Sequence, residues 1–126
     1  MPAAKILLIF DLDGTLIDSR ADLTTAINLT RLHFDLAPLS RDEVVRYVGN
    51  GMVKLVERSL TDAAVPIEQA VALTRKNYRE HMLDETQPYE GVHDALERLK
   101  DAGYRMALVT NKPEQQCCLL HGLRDN

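Results

Sequence analysis

Cysteine is scarce in this sequence and poorly placed for cross-linking. The two present, Cys117 and Cys118, are neighbours. Adjacent cysteines rarely pair with each other, so no disulfide framework is expected. No second cysteine pair exists, and His121 is the only histidine close to them, which argues against a zinc site. A reducing, cytoplasmic compartment is the expectation. Long apolar runs are also missing. The early run over residues 6–10 is far shorter than the roughly 20 residues a membrane-spanning helix needs. Asp11 ends it at once, so neither a spanning helix nor a signal peptide is expected. Nor is there a basic excess: 15 Lys and Arg face 19 Asp and Glu, for a net charge of −4. That balance argues against a nucleic-acid partner. A small phosphorylated metabolite stays compatible with it, because local charge at a site can oppose the net charge. Repeats and low-complexity segments are absent. What remains is a globular composition, 45% hydrophobic and 27% charged over 126 residues. That is enough chain for the core of one ordinary domain.

Two short apolar runs read as fully buried strands. The first covers residues 5–10 and ends at Asp11-Leu12-Asp13-Gly14. The second covers 106–109 and ends at Thr110-Asn111-Lys112-Pro113. Between Pro88 and Gly103 the pattern is helical, with Val92, Ala95, Leu96 and Leu99 on one face and Gly103 placed as a cap. Helix followed by buried strand points to an α/β class with a parallel sheet. Residues 20–85 differ, with no convincing strand. Leu23, Ala26, Ile27, Thr30 and Phe34 follow helical spacing. Ser40-Arg41-Asp42-Glu43 forms a capping box for a helix that should stop near Gly49. A further helix should follow Asn50-Gly51 and carry Leu55, Val56 and Leu60. A fourth should open at Pro66 with Ala70, Val71, Thr74 and Tyr78 along one side. The expected organisation is therefore a partial Rossmann-like parallel-sheet core, residues 1–19 and 86–126, interrupted by an all-helical domain over residues 20–85.

The chemistry concentrates at Asp11-Leu12-Asp13-Gly14-Thr15. Carboxylates at i and i+2 of an extended chain lie on one side. Here they stand at the C-terminal end of a strand, where open α/β sheets place ligands. Two such close negative charges repel unless something compensates. A hard cation such as Mg²⁺ does so, because it prefers oxygen ligands. A carboxylate can also attack a phosphorus atom and form an acyl phosphate. Asp11 would then be the nucleophile, and Asp13 would protonate the leaving oxygen and later activate water. A plain Asp-Gly turn after a strand would account for the same residues without chemistry. Thr110-Asn111-Lys112 follows the second strand, and its hydroxyl and backbone N–H groups are suited to phosphate oxygens. Taken alone, it is an ordinary strand-end turn.

With these motifs the chain resembles the haloacid dehalogenase superfamily of phosphatases. The matching segments are Phe10-Asp11-Leu12-Asp13-Gly14-Thr15-Leu16-Ile17-Asp18-Ser19, Val48-Gly49-Asn50-Gly51, Pro88-Tyr89-Glu90-Gly91-Val92 and Leu108-Val109-Thr110-Asn111-Lys112-Pro113. The resemblance implies a Mg²⁺-dependent hydrolase of a small phosphomonoester, 2-phosphoglycolate foremost, working through an aspartyl phosphate. It implies that Asp11 is the nucleophile and a Mg²⁺ ligand, and that Asp13 is the acid/base, with its backbone carbonyl on the metal. Thr110 and Asn111 would bind the phosphoryl group. Residues 20–85 would form a helical cap whose Gly49, Asn50 and Gly51 approach the substrate. Nearby Arg46 and Lys54 could attract a substrate carboxylate, although solvated helix charges explain them better.

The family pattern also includes a lysine and a distal acidic motif beyond the Thr110 segment. Neither has a counterpart here. Lys112 follows Thr110 too closely, and Asp125 is the only acidic residue after Glu114. A C-terminally truncated product with later core strands missing is the expectation. That leaves a second possibility, a catalytically incomplete remnant that binds a partner through an open sheet edge. A phosphoacceptor domain of the receiver type also uses Asp, Mg²⁺, Thr and Lys. It would place its phosphoacceptor on a central strand, where this chain has a helical block. The oligomeric state is left open.

Overall fold

The structure, a computed structural model, describes residues 6–110. The chain divides into two compact units. One takes in the chain up to Asp18 and from Gln87 onward, and the other is Ser19–Thr86.

The first unit is α/β. Strand β1 (Leu7–Asp11) pairs in parallel with β4 (Arg105–Val109), with Leu7 opposite Arg105 and Asp11 opposite Val109. A shorter antiparallel pair joins β2 (Ile17–Asp18) to β3 (Gln87–Pro88). Helix α5 (Val92–Asp101) supplies the crossover between β3 and β4. Its end follows from Gly103: the Tyr104 N–H reaches the Leu99 carbonyl at 3.1 Å and the Gly103 N–H that of Lys100 at 3.0 Å. This is a Schellman motif, which satisfies carbonyls that a helix end otherwise leaves open.

The strands depart from the expectation in one respect. Both runs were expected to be fully buried, yet Leu7 is 53% exposed, Ile9 62% and Val109 62%. The reason is the sheet itself: among the described residues β1 pairs only with β4. Strands with apolar residues on both faces are buried only where layers cover both faces.

The second unit is all helical. It holds α1 (Arg20–His33), α2 (Arg41–Tyr47), α3 (Gly51–Ser59) and α4 (Ile67–His81). Its core gathers Ile27, Val44, Leu55, Val56, Leu60, Ala70 and Val71, with Leu23, Phe34, Leu36, Leu39 and Ile67 packed against them. The capping box forms: Ser40 Oγ accepts from the Glu43 N–H at 3.2 Å, and Glu43 Oε1 accepts from the Ser40 N–H at 3.4 Å. Pro66 stands one position ahead of α4 rather than inside its first turn, and its carbonyl accepts from Ala70.

Polar groups stitch this core together. Thr30 Oγ1 and Thr74 Oγ1 lie 2.7 Å apart between α1 and α4, and Asn77 Nδ2 donates to Thr30 at 3.2 Å. Arg31, 3% exposed, donates from both terminal nitrogens to the Asp62 carboxylate at 2.8 Å and also to the carbonyls of Ser59 and Ala37. Asp22, fully buried, accepts from the Glu85 N–H, the Thr86 N–H and the Thr86 hydroxyl at 2.7–3.1 Å. One carboxylate thus ties the beginning of the unit to its end. Among the described residues no helix is long and apolar enough to cross a membrane.

Candidate functional site

The site is built from the C-terminal ends of β1 and β4. Asp11 is the last residue of β1 and stands opposite Val109, the last residue of β4. Thr110 follows directly. Neighbouring strands run about 4.8 Å apart, so this register brings Thr110 beside the carboxylate end of β1. The crossover through α5 makes the strands parallel, and parallel strands open their loops at one edge.

The turn after β1 is tightly bonded. The Leu12 carbonyl accepts from the N–H groups of Thr15, Leu16 and Ile17 at 2.9–3.3 Å, and the Gly14 N–H returns to the Ile17 carbonyl at 2.9 Å. Leu12 is buried, Asp11 is exposed and Asp13 is half-buried. The apolar residue therefore anchors the turn while the carboxylates on either side keep access to solvent. Asp11 is also oriented from within, since its Oδ1 accepts from the Leu12 N–H at 2.9 Å. Asp13 forms an isolated bridge with Ile17, which fixes its backbone.

Asp11 and Asp13 offer hard oxygen donors. Mg²⁺ is commonly held by one or two carboxylates, with water and substrate phosphate completing its shell. This donor set fits that chemistry. No group of three or more His, Cys, Asp or Glu gathers as a metal cluster among the described residues.

The structure thus brings three of the expected residues, Asp11, Asp13 and Thr110, to one end of one sheet. Asn111, and with it Lys112, lies outside the described residues. Gly49 and Asn50 belong to the helical unit, in the loop between α2 and α3. Arg46 is exposed in the last turn of α2, and Lys54 pairs with Glu57 at 3.4 Å. Both therefore carry the features of solvated surface charges. Sequence reasoning passed over Arg58, whose guanidinium holds the 48–51 loop through the Tyr47 carbonyl and Asn50 Oδ1. No spacing rule marks an arginine that bonds back across eight residues to a loop.

The sequence matches the family described as haloacid dehalogenase-like hydrolase over residues 8–123, and the chain belongs to that family. Among curated relatives, a phosphoglycolate phosphatase of Chromobacterium violaceum is 40% identical, the match covering 93% of this chain and 57% of that protein. One of Aquifex aeolicus is 39% identical over 86% of this chain and 50% of its own length. Among solved structures, a predicted phosphoglycolate phosphatase from Haemophilus somnus 129PT superposes with a TM-score of 0.84 at 29% identity. That match covers 94% of this chain and 57% of the other. The chain spans about half the length of the curated relatives it matches.

Proposed function

We propose that this chain carries the nucleophile end of a Mg²⁺-dependent phosphomonoester hydrolase whose substrate is 2-phosphoglycolate. The observation that supports the reading most is the β1–β4 register, which sets the Asp11–Asp13 turn beside Thr110 at one sheet edge. The substrate follows from what the similar proteins are named for.

In this reading an Asp11 carboxylate oxygen attacks the phosphorus atom. A phosphorus–oxygen bond forms as the bond to the glycolate oxygen breaks, and Asp13 gives that oxygen its proton. Asp13, now ionised, takes a proton from water. The resulting hydroxide attacks the phosphorus of the aspartyl phosphate, releasing inorganic phosphate and restoring Asp11. Thr110 and Asn111 hold the phosphoryl oxygens by hydrogen bonds as charge moves onto them. The Asp11 carboxylate and the Asp13 backbone carbonyl would hold Mg²⁺, whose charge would offset the repulsion between carboxylates and phosphoryl oxygens. Residues 20–85 act as a cap that selects substrate, with Gly49 and Asn50 contributing to its binding.

The test is hydrolysis by the 126-residue chain of 2-phosphoglycolate and of an aryl phosphate, with and without Mg²⁺, beside Asp11→Asn. The expected result is Mg²⁺-dependent release of phosphate that Asp11→Asn abolishes. Absence of turnover from the folded chain overturns the reading for this polypeptide. Turnover retained in Asp11→Asn removes Asp11 as nucleophile.

A further inference from the structure

The loop over residues 48–51 takes a backbone shape that depends on glycine. Gly49 and Gly51 hold φ of +135° and +87°, values that side-chain-bearing residues rarely adopt. A Cβ at either would meet nothing within 4 Å. Glycine is therefore demanded there by the backbone and not by crowding. Asn50 between them occupies the N-cap position of α3, and Asn is among the best N-cap residues. Yet its side chain makes no cap hydrogen bond. Its Oδ1 instead accepts from Arg58 Nη2 at 2.8 Å, while Arg58 Nη1 donates to the Tyr47 carbonyl at 3.0 Å. In the same unit Ser40 completes a full capping box at α2, whereas α1, α3 and α4 begin without a side-chain cap.

We infer that Arg58 is a positioning residue that sets the conformation of the 48–51 loop for substrate recognition. The inference rests on the proposed function, which gives that loop a part in binding the phosphomonoester. Three features carry it. First, one planar guanidinium spans both sides of the loop, bonding the last residue of α2 and the residue before α3. Second, no carboxylate pairs with Arg58 among the described residues, so its fork is committed to the loop rather than to an ion pair. Third, the Asn50 side-chain oxygen accepts from Arg58 and makes no bond to the start of α3, so the contact that fixes this side chain is the one to the guanidinium. A lysine supplies charge and donors but no fixed fork, so it does not serve both acceptors in the same geometry.

The test uses the whole chain as wild type, Arg58→Gln and Arg58→Lys. Backbone ¹⁵N relaxation is read at Gly49, Asn50 and Gly51, with α1 and α4 amides as reference, and steady-state kinetics are read on 2-phosphoglycolate with Mg²⁺. In the wild type the loop amides should have order parameters near the rigid value of about 0.85. In Arg58→Gln they should fall below about 0.6, with Arg58→Lys between and the α1 and α4 amides unchanged. KM should rise by about fivefold or more in Arg58→Gln with kcat within about twofold, as expected when an interaction common to bound substrate and transition state is lost. Unchanged loop order in Arg58→Gln overturns the anchor even if the hydrolase reading stands. Loss of order spread equally through α1 and α4 also overturns it, since Arg58 would then be a general stabiliser. A disordered loop with an unchanged KM removes the positioning role. Absence of wild-type turnover overturns the substrate role together with the reading beneath it. The two failures stay distinct because relaxation needs no substrate.

Discussion

The two units of this chain handle apolar surface in opposite ways. In the helical unit, Ile27 and Val56 are at most 1% exposed, and the buried Thr30, Thr74 and Asn77 bond one another. In the α/β unit, the β1 and β4 side chains are just as apolar, yet many face solvent, and α5 contains no fully buried residue. The difference lies in how each architecture closes. A helix presents one apolar stripe, and four helices suffice to bury their stripes against one another. A parallel strand is apolar on both faces and needs covering layers on each. The helical sequence carries its own closure, while the strand sequence refers to neighbours beyond the described pair.

The largest effect should come from matched truncations. Ile27→Ala opens a cavity in a closed core and should cost about 2–5 kcal/mol. Ile9→Ala removes a side chain already 62% exposed and should cost less than about 1 kcal/mol. Because two units need not unfold together, hydrogen exchange of amides within each unit is the fitting measurement. Equal costs would mean that the β1 face is covered in solution, by chain outside the described residues or by a second molecule.

Next in size is Asp22→Ala, which strands the Glu85 and Thr86 N–H groups and the Thr86 hydroxyl. A loss of about 2–3 kcal/mol is expected from buried donors left unpaired. Exchange of α1 and α4 amides should speed up while that of β1 and β4 does not. If both units loosen equally, the clasp does not belong to the helical unit alone. Ser40→Ala should cost about 1 kcal/mol through the lost capping box, again confined to the helical unit.

How far the sequence disclosed all this follows the same division. The α/β class was readable from two apolar runs, and the observed strands lie within a residue or two of them. The helical segments were readable because Ala26, Ile27 and Thr30, and then Ala70, Val71 and Thr74, repeat at helical spacing. Ser40-to-Glu43 and Gly103 are local signals and gave the two helix ends they mark. The β2–β3 pair, two residues on each side, leaves no periodicity to read. Asp22 and Arg31 were invisible because their partners lie far along the chain, up to 64 residues for Asp22 and Thr86, and Arg58 because no spacing rule marks a bond back to a nearby loop. For the candidate site, the Asp11–Asp13 spacing and the Thr110 strand end are one-dimensional patterns. That they share a sheet edge was expected from parallel strands opening their loops on one side, while the β1–β4 register that sets Thr110 beside Asp11 is not written in any one-dimensional pattern.

The smallest expected effect is electrostatic, and it tests whether the closure of the helical unit includes a charge. Both Asp62 carboxylate oxygens accept from Arg31 at 2.8 Å, which holds the Asp62 carboxyl below its ordinary 3.8. The same bonds, opposed by burial, raise Arg31, which stays a cation throughout the accessible range. A carboxylate whose folded pKa is depressed adds stability above its unfolded value and loses it as pH falls through the folded value. The contribution should therefore be full above about pH 5 and fade below about pH 4. Asp62 is 55% exposed, so solvent and salt screen the pair and keep the effect small. Unfolding of the wild type and Asp62→Asn, followed through α1 and α4 amides from pH 6 to pH 2 at low salt, should show a stability gap that closes toward acid. A gap of equal size at pH 2 would assign the role of Asp62 to packing and hydrogen bonding alone. The helical unit would then close without help from charge, and its contrast with the open sheet would rest on apolar burial and neutral hydrogen bonds.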